Sequence, residues 1–400
     1  MNRRNFLAQA APAATALAAF GLPATLAAQG AKPAFQTKDG MNYAPVNTKA
    51  RAVVKPGEFV FAAAYLEHGH INGQCNGLTE AGGTLKWLYD PNPQNPLLAG
   101  LRKKHPQARV ARSLDEILDD KAVHLVAGAA VPNVRGPIGC RVMQAEKDYF
   151  TDKTPFTELG QLADARRVVA GTKRKFMVYF SERLHTESGM HATDLVKQGA
   201  IGKVIHVLGL GPHRLSKKSR PAWFFRREEY GGILCDIGSH QFEQFLTYSG
   251  ATDAVVADAS VANYANPDTP ELEDFGQATL IGDNGVSNYI RVDWFTPDGL
   301  RTWGDGRIFI IGTKGTLELR KYLDLARDKT SDHVFLVDAE GEKHIPVSGK
   351  VGYRFFGELI LDVLNRTETA MTQAHCFKAA ELCLKAQAQA RWLTPKPTTL

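Results

Sequence analysis

Hydrophobic positions along this chain follow two different rhythms, and the change between them divides it. Compact apolar runs at Glu58 to Tyr65, Thr84 to Tyr89, Val123 to Ala130 and Asp148 to Lys153 alternate with helical stretches. Those stretches comprise a segment reaching about Ala81, then Asn95 to Lys104, Leu114 to Leu118 and Ile138 to Glu146. Buried strands separated by helices of this length predict βαβ units on a parallel sheet. From Lys175 onward strands predominate: Phe176 to Ser181, Lys203 to Leu210, Ala254 to Ala262, Phe275 to Ile281, Ser287 to Trp294, Arg307 to Ile311 and Thr316 to Leu319. Asp283-Asn284-Gly285 reads as a hairpin turn, because Asn and Gly accept the positive φ such turns need. Helical patterns at Ser188 to Gln198, Tyr353 to Leu364 and Ala374 to Trp392 complete the second part. The expectation is an α/β lobe followed by an α+β lobe whose sheet is mostly antiparallel and open, one face covered by helices.

Composition adds little to this until the N-terminus. The 400 residues carry 44% hydrophobic and 22% charged side chains, ordinary for a globular protein with more than one core. The net charge of +6 is spread along the chain. Its densest basic clusters, Lys217-Lys218-Ser219-Arg220 and Lys173-Arg174-Lys175, lack interleaved aromatics and read as solvated faces, so no nucleic-acid partner is expected. No body segment is apolar for long enough to imply stable membrane insertion. At the start, Asn2-Arg3-Arg4-Asn5-Phe6-Leu7 precedes a mildly apolar, Ala-rich stretch to Ala28. Paired arginines before such a stretch resemble a twin-arginine export signal. Residues 1–30 are therefore expected to be a signal peptide handed to the twin-arginine machinery, and the protein to be periplasmic or otherwise exported. A linker at 31–56 follows. The five cysteines show neither framework nor zinc spacing and are expected to be buried thiols.

Candidate chemistry centres on Gly231-Gly232-Ile233-Leu234-Cys235-Asp236-Ile237-Gly238-Ser239-His240. Asp236 and His240 stand four apart, so a helix there stacks carboxylate and imidazole on one face. A carboxylate near an imidazole orients it and raises its pKa, which suits a general acid/base acting on a hydroxyl or carbonyl. In the first part, a strand, a turn, a helix and an acid closing the second strand form a Rossmann-like dinucleotide layout over 57–174. Asp90 is the acid, and a carboxylate on the ribose hydroxyls favours NAD over NADP. Counting back from Gly69-His70, the fingerprint glycines fall on Ala62, Ala64 and Glu67, and a glutamate there opposes a diphosphate. His68-x-His70 has no third ligand at sensible spacing, so no metal is expected. The α+β part, 175–370, is expected to bind substrate and to oligomerise, and 371–400 to form a C-terminal helix and tail.

Asp152-Lys153-Thr154-Pro155, the Gly199 to Val204 turn and the Gly231 to His240 stretch together resemble the glucose–fructose oxidoreductase/inositol dehydrogenase (Gfo/Idh/MocA) family, from Phe59 to the C-terminal helices. The turn departs from that family's pattern, with Asp152 for its usual glutamate and Thr154 inserted before proline. The resemblance implies a sugar, glycoside or cyclitol oxidoreductase with tightly bound NAD or NADP. It implies Lys153, Asp236 and His240 as the catalytic set. It also implies cofactor contacts from Ala64, Tyr65, His68, His70, Ile71, Asp90, Pro132 and Lys153. Arg183, His185, His213, Arg214 and Trp223 are candidates for the carbohydrate, with Arg226 and Arg227 nearby, since aromatic faces flanked by cations suit a sugar ring. Two other functions fit the same residues: glycoside cleavage by transient oxidation and elimination, and sugar binding without a cofactor. A homo-oligomer is expected, because an open sheet must cover its apolar side.

Overall fold

Six short strands, most of them buried, stack in parallel with helices between them. In chain order they are β1 (Val60–Ala64), α1 (Ile71–Glu80), β2 (Thr84–Tyr89), α2 (Pro96–Lys104), β3 (Arg109–Val110), α3 (Leu114–Asp119), β4 (Leu125–Gly128), α4 (Pro132–Gln144), β5 (Asp148–Asp152), α5 (Leu159–Thr172) and β6 (Phe176–Tyr179). The sheet order is β3-β2-β1-β4-β5-β6, so strand order reverses between β1 and β4. Ligands of such sheets bind beyond the strands' carboxyl ends at that reversal. Local sequence explains the helix starts. The Asn95 side chain caps α2 by accepting from Leu97 N, with Pro96 at its first position, and Ser113 caps α3 by accepting from Glu116 N. The sheet runs past residue 174, where its lobe was expected to end, because Phe176–Tyr179 pairs in parallel with β5.

The second lobe is a nine-stranded sheet with helices on its inner face. Its elements are α6 (Ser181–Leu184), α7 (Glu187–Lys197), β7 (Val204–Pro212), α8 (Arg227–Tyr230), α9 (Ile233–Asp236), α10 (Gly238–Ser249), β8 (Ala254–Ala262), β9 (Phe275–Gly282), β10 (Ser287–Asp293), β11 (Arg307–Gly312), β12 (Gly315–Arg320), β13 (His333–Asp338), β14 (Gly341–Pro346), α11 (Arg354–Asn365), α12 (Gln373–Gln389) and β15 (Arg391–Trp392). The order is β14-β13-β12-β11-β7-β10-β9-β8-β15, antiparallel except where β7 meets β10 and β8 meets β15. The β13–β14 hairpin lies beyond the strands expected from sequence. Side chains alternate inward and outward along β7, β9, β10 and β11. Glycines let α10 close on the inner face: a Cβ on Gly209 or Gly211 would lie 2.6 or 2.8 Å from the Gln241 amide.

The computed structural model describes residues 49–325 and 330–396, all within a compact unit spanning 32–400. The signal expected at 1–30 lies outside the described residues. No helix among the described residues is long and apolar enough to cross a membrane. The last long helix, α12, joins the lobes. Its Gln373 exchanges hydrogen bonds with the main chain of Phe176 in β6, and Glu381 pairs with Arg166 of α5 at 2.5 Å. Further along, Gln387 holds Leu234 N at 3.0 Å and the Glu273 carboxylate at 2.9 Å.

Candidate functional site

The site is assembled from strand ends. Beyond β5 the chain places Asp152, Lys153 and Thr154 in a buried turn clamped by Arg135 of α4. The Arg135 guanidinium, itself 1% exposed, donates to the carbonyls of Ala130 (2.6 Å), Lys153 and Thr154, and to Asp152 Oδ2 at 3.1 Å. Five donors in a rigid fork suit it to hold a turn from behind. Asp152 Oδ1 also faces His70 Nδ1 at 2.8 Å and accepts from Lys153 N at 2.8 Å. Burial raises the Asp152 pKa, but His70 and Arg135 outweigh it and hold the carboxyl well below its ordinary range.

From the other lobe comes the segment 233–249, helical throughout except for a hitch at Ile237, between α9 and α10. Gly231 and Gly232, at φ of 86° and 91°, turn the chain sharply into it. Asp236 Oδ1 meets Lys153 Nζ at 2.6 Å, a buried ion pair that spans the two lobes. His240 lines the same pocket, 2% exposed, and its Nδ1 has no hydrogen-bond partner among the described residues. Burial, then the Lys153 charge, pushes the His240 pKa well below its ordinary value. This corrects the expectation of a raised value: the Asp236 carboxylate bonds Lys153, and the cations around the imidazole outweigh it. The neutral ring is the form that accepts a proton.

The walls are aromatic. Trp223 and Phe224 come from a short 3-10 turn at Ala222–Phe225, Trp294 follows β10, and Trp303 lies against the His213 ring at 4.2 Å between centroids. Arg220 is 4% exposed and stacks between Phe224 (4.3 Å) and Trp294 (4.8 Å), so the last member of the 217–220 basic cluster is buried rather than solvated. Arg214 donates to the carbonyls of Pro297 (3.1 Å), Leu300 and Thr302 (2.9 Å). Behind His213, Glu182 Oε1 stands 3.5 Å from its Nε2, while Glu182 Oε2 pairs with the buried Lys321.

Of the residues singled out from sequence, His68, His70, Pro132, Lys153, His213, Arg214, Trp223, Asp236 and His240 line this one pocket. Ala64, Tyr65, Ile71 and Asp90 surround the β1–α1 connection beside it. Ala62 and Ala64, the expected glycine positions, are paired within β1, so the turn proper is residues 65–70. Arg183 and His185 are not brought to the pocket. The Arg183 guanidinium holds Glu243 through two nitrogens, and His185 Nδ1 meets the Tyr179 hydroxyl inside an aromatic cluster with Tyr353 and Phe356. Sequence reasoning passed over Asp152, Arg135, Trp294 and Trp303. Asp152 stood in the quoted Asp-Lys-Thr-Pro turn, whereas the two tryptophans carry no local signal.

Asp152 also supplies a third donor beside His68 and His70, with ligand atoms all within 4.8 Å. Those donors are already engaged. His68 Nδ1 accepts from His70 N at 3.2 Å, and both Asp152 oxygens have cationic or N–H partners. An ion there would have to displace this network, which serves instead to fix the Lys153 turn.

A nicotinamide dinucleotide fits at one end. The pocket lies at the β1/β4 reversal, and β1–α1, α4 and β5 each bring a residue to it: His70, Pro132 and Lys153. The other end is more self-contained. Asp90 Oδ2 accepts from Leu66 N (2.7 Å) and Asn95 Nδ2 (2.9 Å), and Oδ1 from Asn92 N (2.9 Å), so this carboxylate braces its own turns and gives no grounds for preferring NAD to NADP. Glu67 sits in the 65–70 turn with Oε2 sealed from solvent, and burial, then Asp90, raises its pKa to about 7.

A reversing parallel sheet and an open nine-stranded sheet hold a lysine, a carboxylate and an imidazole between them, and likeness to known proteins makes this two-lobed chain an oxidoreductase. Residues 190–318 match the GFO/IDH/MocA C-terminal domain. An oxidoreductase of Erwinia carotovora atroseptica is 45% identical, over 84% of this chain and 100% of its own, with a TM-score of 0.81. The chain belongs to the Gfo/Idh/MocA family. It is also 26% identical over 180 residues to an uncharacterized oxidoreductase of Schizosaccharomyces pombe, covering 45% of this chain and 48% of that protein, and it spans about half the length of the curated relatives it matches. A levoglucosan dehydrogenase solved with NADH and levoglucosan shares the fold at a TM-score of 0.68 and 17% identity, over 83% of this chain and 96% of its own.

Proposed function

We propose that this protein exchanges a hydride between a carbohydrate or cyclitol hydroxyl and a nicotinamide cofactor. The observation that carries this is the pair Lys153 Nζ–Asp236 Oδ1 at 2.6 Å, joined across the lobes beside the neutral His240. When bound, the cofactor would supply the hydride acceptor. The chain supplies the rest. His240 takes the hydroxyl proton on its free ring nitrogen, since burial and cationic neighbours keep the imidazole uncharged. Lys153 stabilises the oxygen as negative charge develops, with Asp236 fixing the ammonium in place. Trp223 and Trp303 offer flat faces to a sugar ring, and the packed aromatic wall excludes water. The levoglucosan dehydrogenase supports both cofactor and substrate class by likeness of fold.

Export through the twin-arginine route is part of this reading, supported by Arg3-Arg4 and the apolar stretch behind them. Free nucleotide is scarce outside the cytoplasm, so the cofactor is loaded before export and recycled in place. A homo-oligomer pairing the outer sheet face accompanies it. Leu208, Tyr289, Phe309, Ile311, Phe335 and Val337 point outward there and are half-buried or, for Ile311 and Val337, exposed.

The test is to purify the mature protein from the export compartment, denature it, and identify released nucleotide by mass spectrometry, with sedimentation of the same preparation. Near-stoichiometric NAD(H) or NADP(H), carried by a dimer or larger species, is expected. No nucleotide, together with no binding when either is added back, refutes the redox reading.

A further inference from the structure

The pocket gathers more cations than carboxylates. Its titratable lining comprises four cations, Arg135, Lys153, Arg214 and Arg220, against the two carboxylates Asp152 and Asp236, with histidines besides. The two carboxylates are engaged by Arg135 and Lys153. Among the described residues, the indole Nε1 atoms of Trp223 and Trp294, two residues of this lining, are buried without a hydrogen-bond partner, and Arg214 Nε has only the Asp298 carboxylate at 3.5 Å. Trp223 is 7% and Trp294 6% exposed, so bulk water does not serve them. An indole N–H is a donor only, and leaving it unpaired in a buried site costs free energy. An occupant that offers acceptors would satisfy these N–H groups, and charged oxygens would do so best.

A second cleft shares Arg214 and Trp294 with the first and extends it toward the surface. It adds Lys217 and the exposed Lys218, so three cations there face one carboxylate, Asp298. Lys217 is partly spoken for by Asp268 at 2.5 Å, and Asp298 is itself 98% exposed. The positive field thus continues from the buried end of the pocket outward along one path.

We propose that the substrate is an anionic carbohydrate, with a carboxylate or sulfate on the sugar read by the Trp223 and Trp294 N–H groups and Arg220, and that it extends along the Arg214–Lys218 cleft. This rests on the carbohydrate reading above and narrows it. The anion is kept off the reacting carbon because Lys153 is already tied to Asp236.

The experiment measures binding of methyl β-glucuronide, glucose 6-sulfate and methyl β-glucoside to the full exported protein by titration calorimetry at two salt concentrations. At least one anionic sugar is expected to bind ten times more tightly than the glucoside or better, and to weaken with salt. Whichever of the two binds identifies the charged group. Trp223→Phe, which keeps an aromatic face and removes the N–H, should cost the anionic sugar about tenfold more than it costs the glucoside. Lys218→Gln should cost the anionic sugar a few-fold and flatten its salt dependence. Equal or tighter binding of the neutral glucoside overturns the proposal, as does a Trp223→Phe loss common to all three sugars. Following nucleotide reduction with the sugar that binds separates the two readings. Tight anionic binding without hydride transfer sinks the redox function and keeps this inference, whereas turnover confined to the neutral sugar does the reverse.

Discussion

Replacing Glu67 by glutamine should stabilise the protein at pH 8 and leave it nearly unchanged at pH 5. Glu67 stands in the turn between β1 and α1, and its Oε2 is shut off from solvent. Burial and the neighbouring Asp90 raise its pKa from 4.5 to about 7, against the opposing pull of its own backbone amide and Arg135. The unfolded chain ionises near 4.5 and the folded chain only near 7, so between those values the native state holds the extra proton. Stability then falls as pH rises through this window and is lowest above pH 7. Each unit of difference corresponds to about 1.4 kcal/mol, so the full penalty is about 3 kcal/mol. Glutamine keeps the shape and removes the charge. For a chain of this size the gain is roughly 4 °C in melting temperature at pH 8. Thermal melts of wild type and E67Q at both pH values provide the comparison. The same substitution should tighten NAD(H) at pH 8, because Glu67 stands in the turn leading to the α1 N-terminus, where a diphosphate would approach and a negative charge would oppose it. Equal stabilisation at pH 5 and pH 8, or none at pH 8, would refute the argument.

Two further outcomes follow from the geometry. Arg183→Gln leaves the fully buried Glu243 carboxylate without its main partner and should destabilise the fold by about 3–5 kcal/mol in a denaturant titration, with the sugar KM unchanged; a raised KM at unaltered stability would return Arg183 to the substrate. Because burial and then Lys153 depress the His240 pKa, the acid limb of kcat/KM should lie below pH 6.5. In the residual activity of Lys153→Met it should move upward, since one cation no longer disfavours the imidazolium; a limb that stays put would remove His240 as the base.

The elements were legible because their signals are local. Short apolar runs such as Val-Phe-Ala-Ala-Ala in β1 read as buried strands, and Asp283-Asn284-Gly285 does turn the chain between β9 and β10, although only Gly285, at φ 82°, takes the positive φ expected of both Asn and Gly. The site was legible where a motif is contiguous, as at Asp152-Lys153 and Asp236-x-x-x-His240. What escaped depends on distant partners. Nothing near Arg183 shows that Glu243, 60 positions on, will claim its guanidinium. Asp90 sits at the end of β2 as expected, but its commitment to Leu66 and Asn95 is set by how two turns pack. Lys217 to Arg220 reads as one solvated cluster, yet Phe224 and Trp294 draw Arg220 inward. Trp303 reaches the pocket from a loop with no pattern of its own.

The path of α12 bears on how this protein can be recombined. A helix that hydrogen-bonds β6 at one end and braces the Gly232–Leu234 turn at the other belongs to both lobes at once. Gln387 lies so close that a Cβ on Gly232 would meet it at 2.4 Å. A chimera that swaps the first lobe at residue 180 would therefore break the α12 contacts with Phe176 and Arg166, however well the two sheets matched. The transplantable unit is discontinuous: the parallel sheet together with the C-terminal helix, with the substrate lobe inserted between them. Natural shuffling of substrate lobes among relatives would meet the same rule, and paired changes at 166 and 381, or at 176 and 377, are where its traces should be sought.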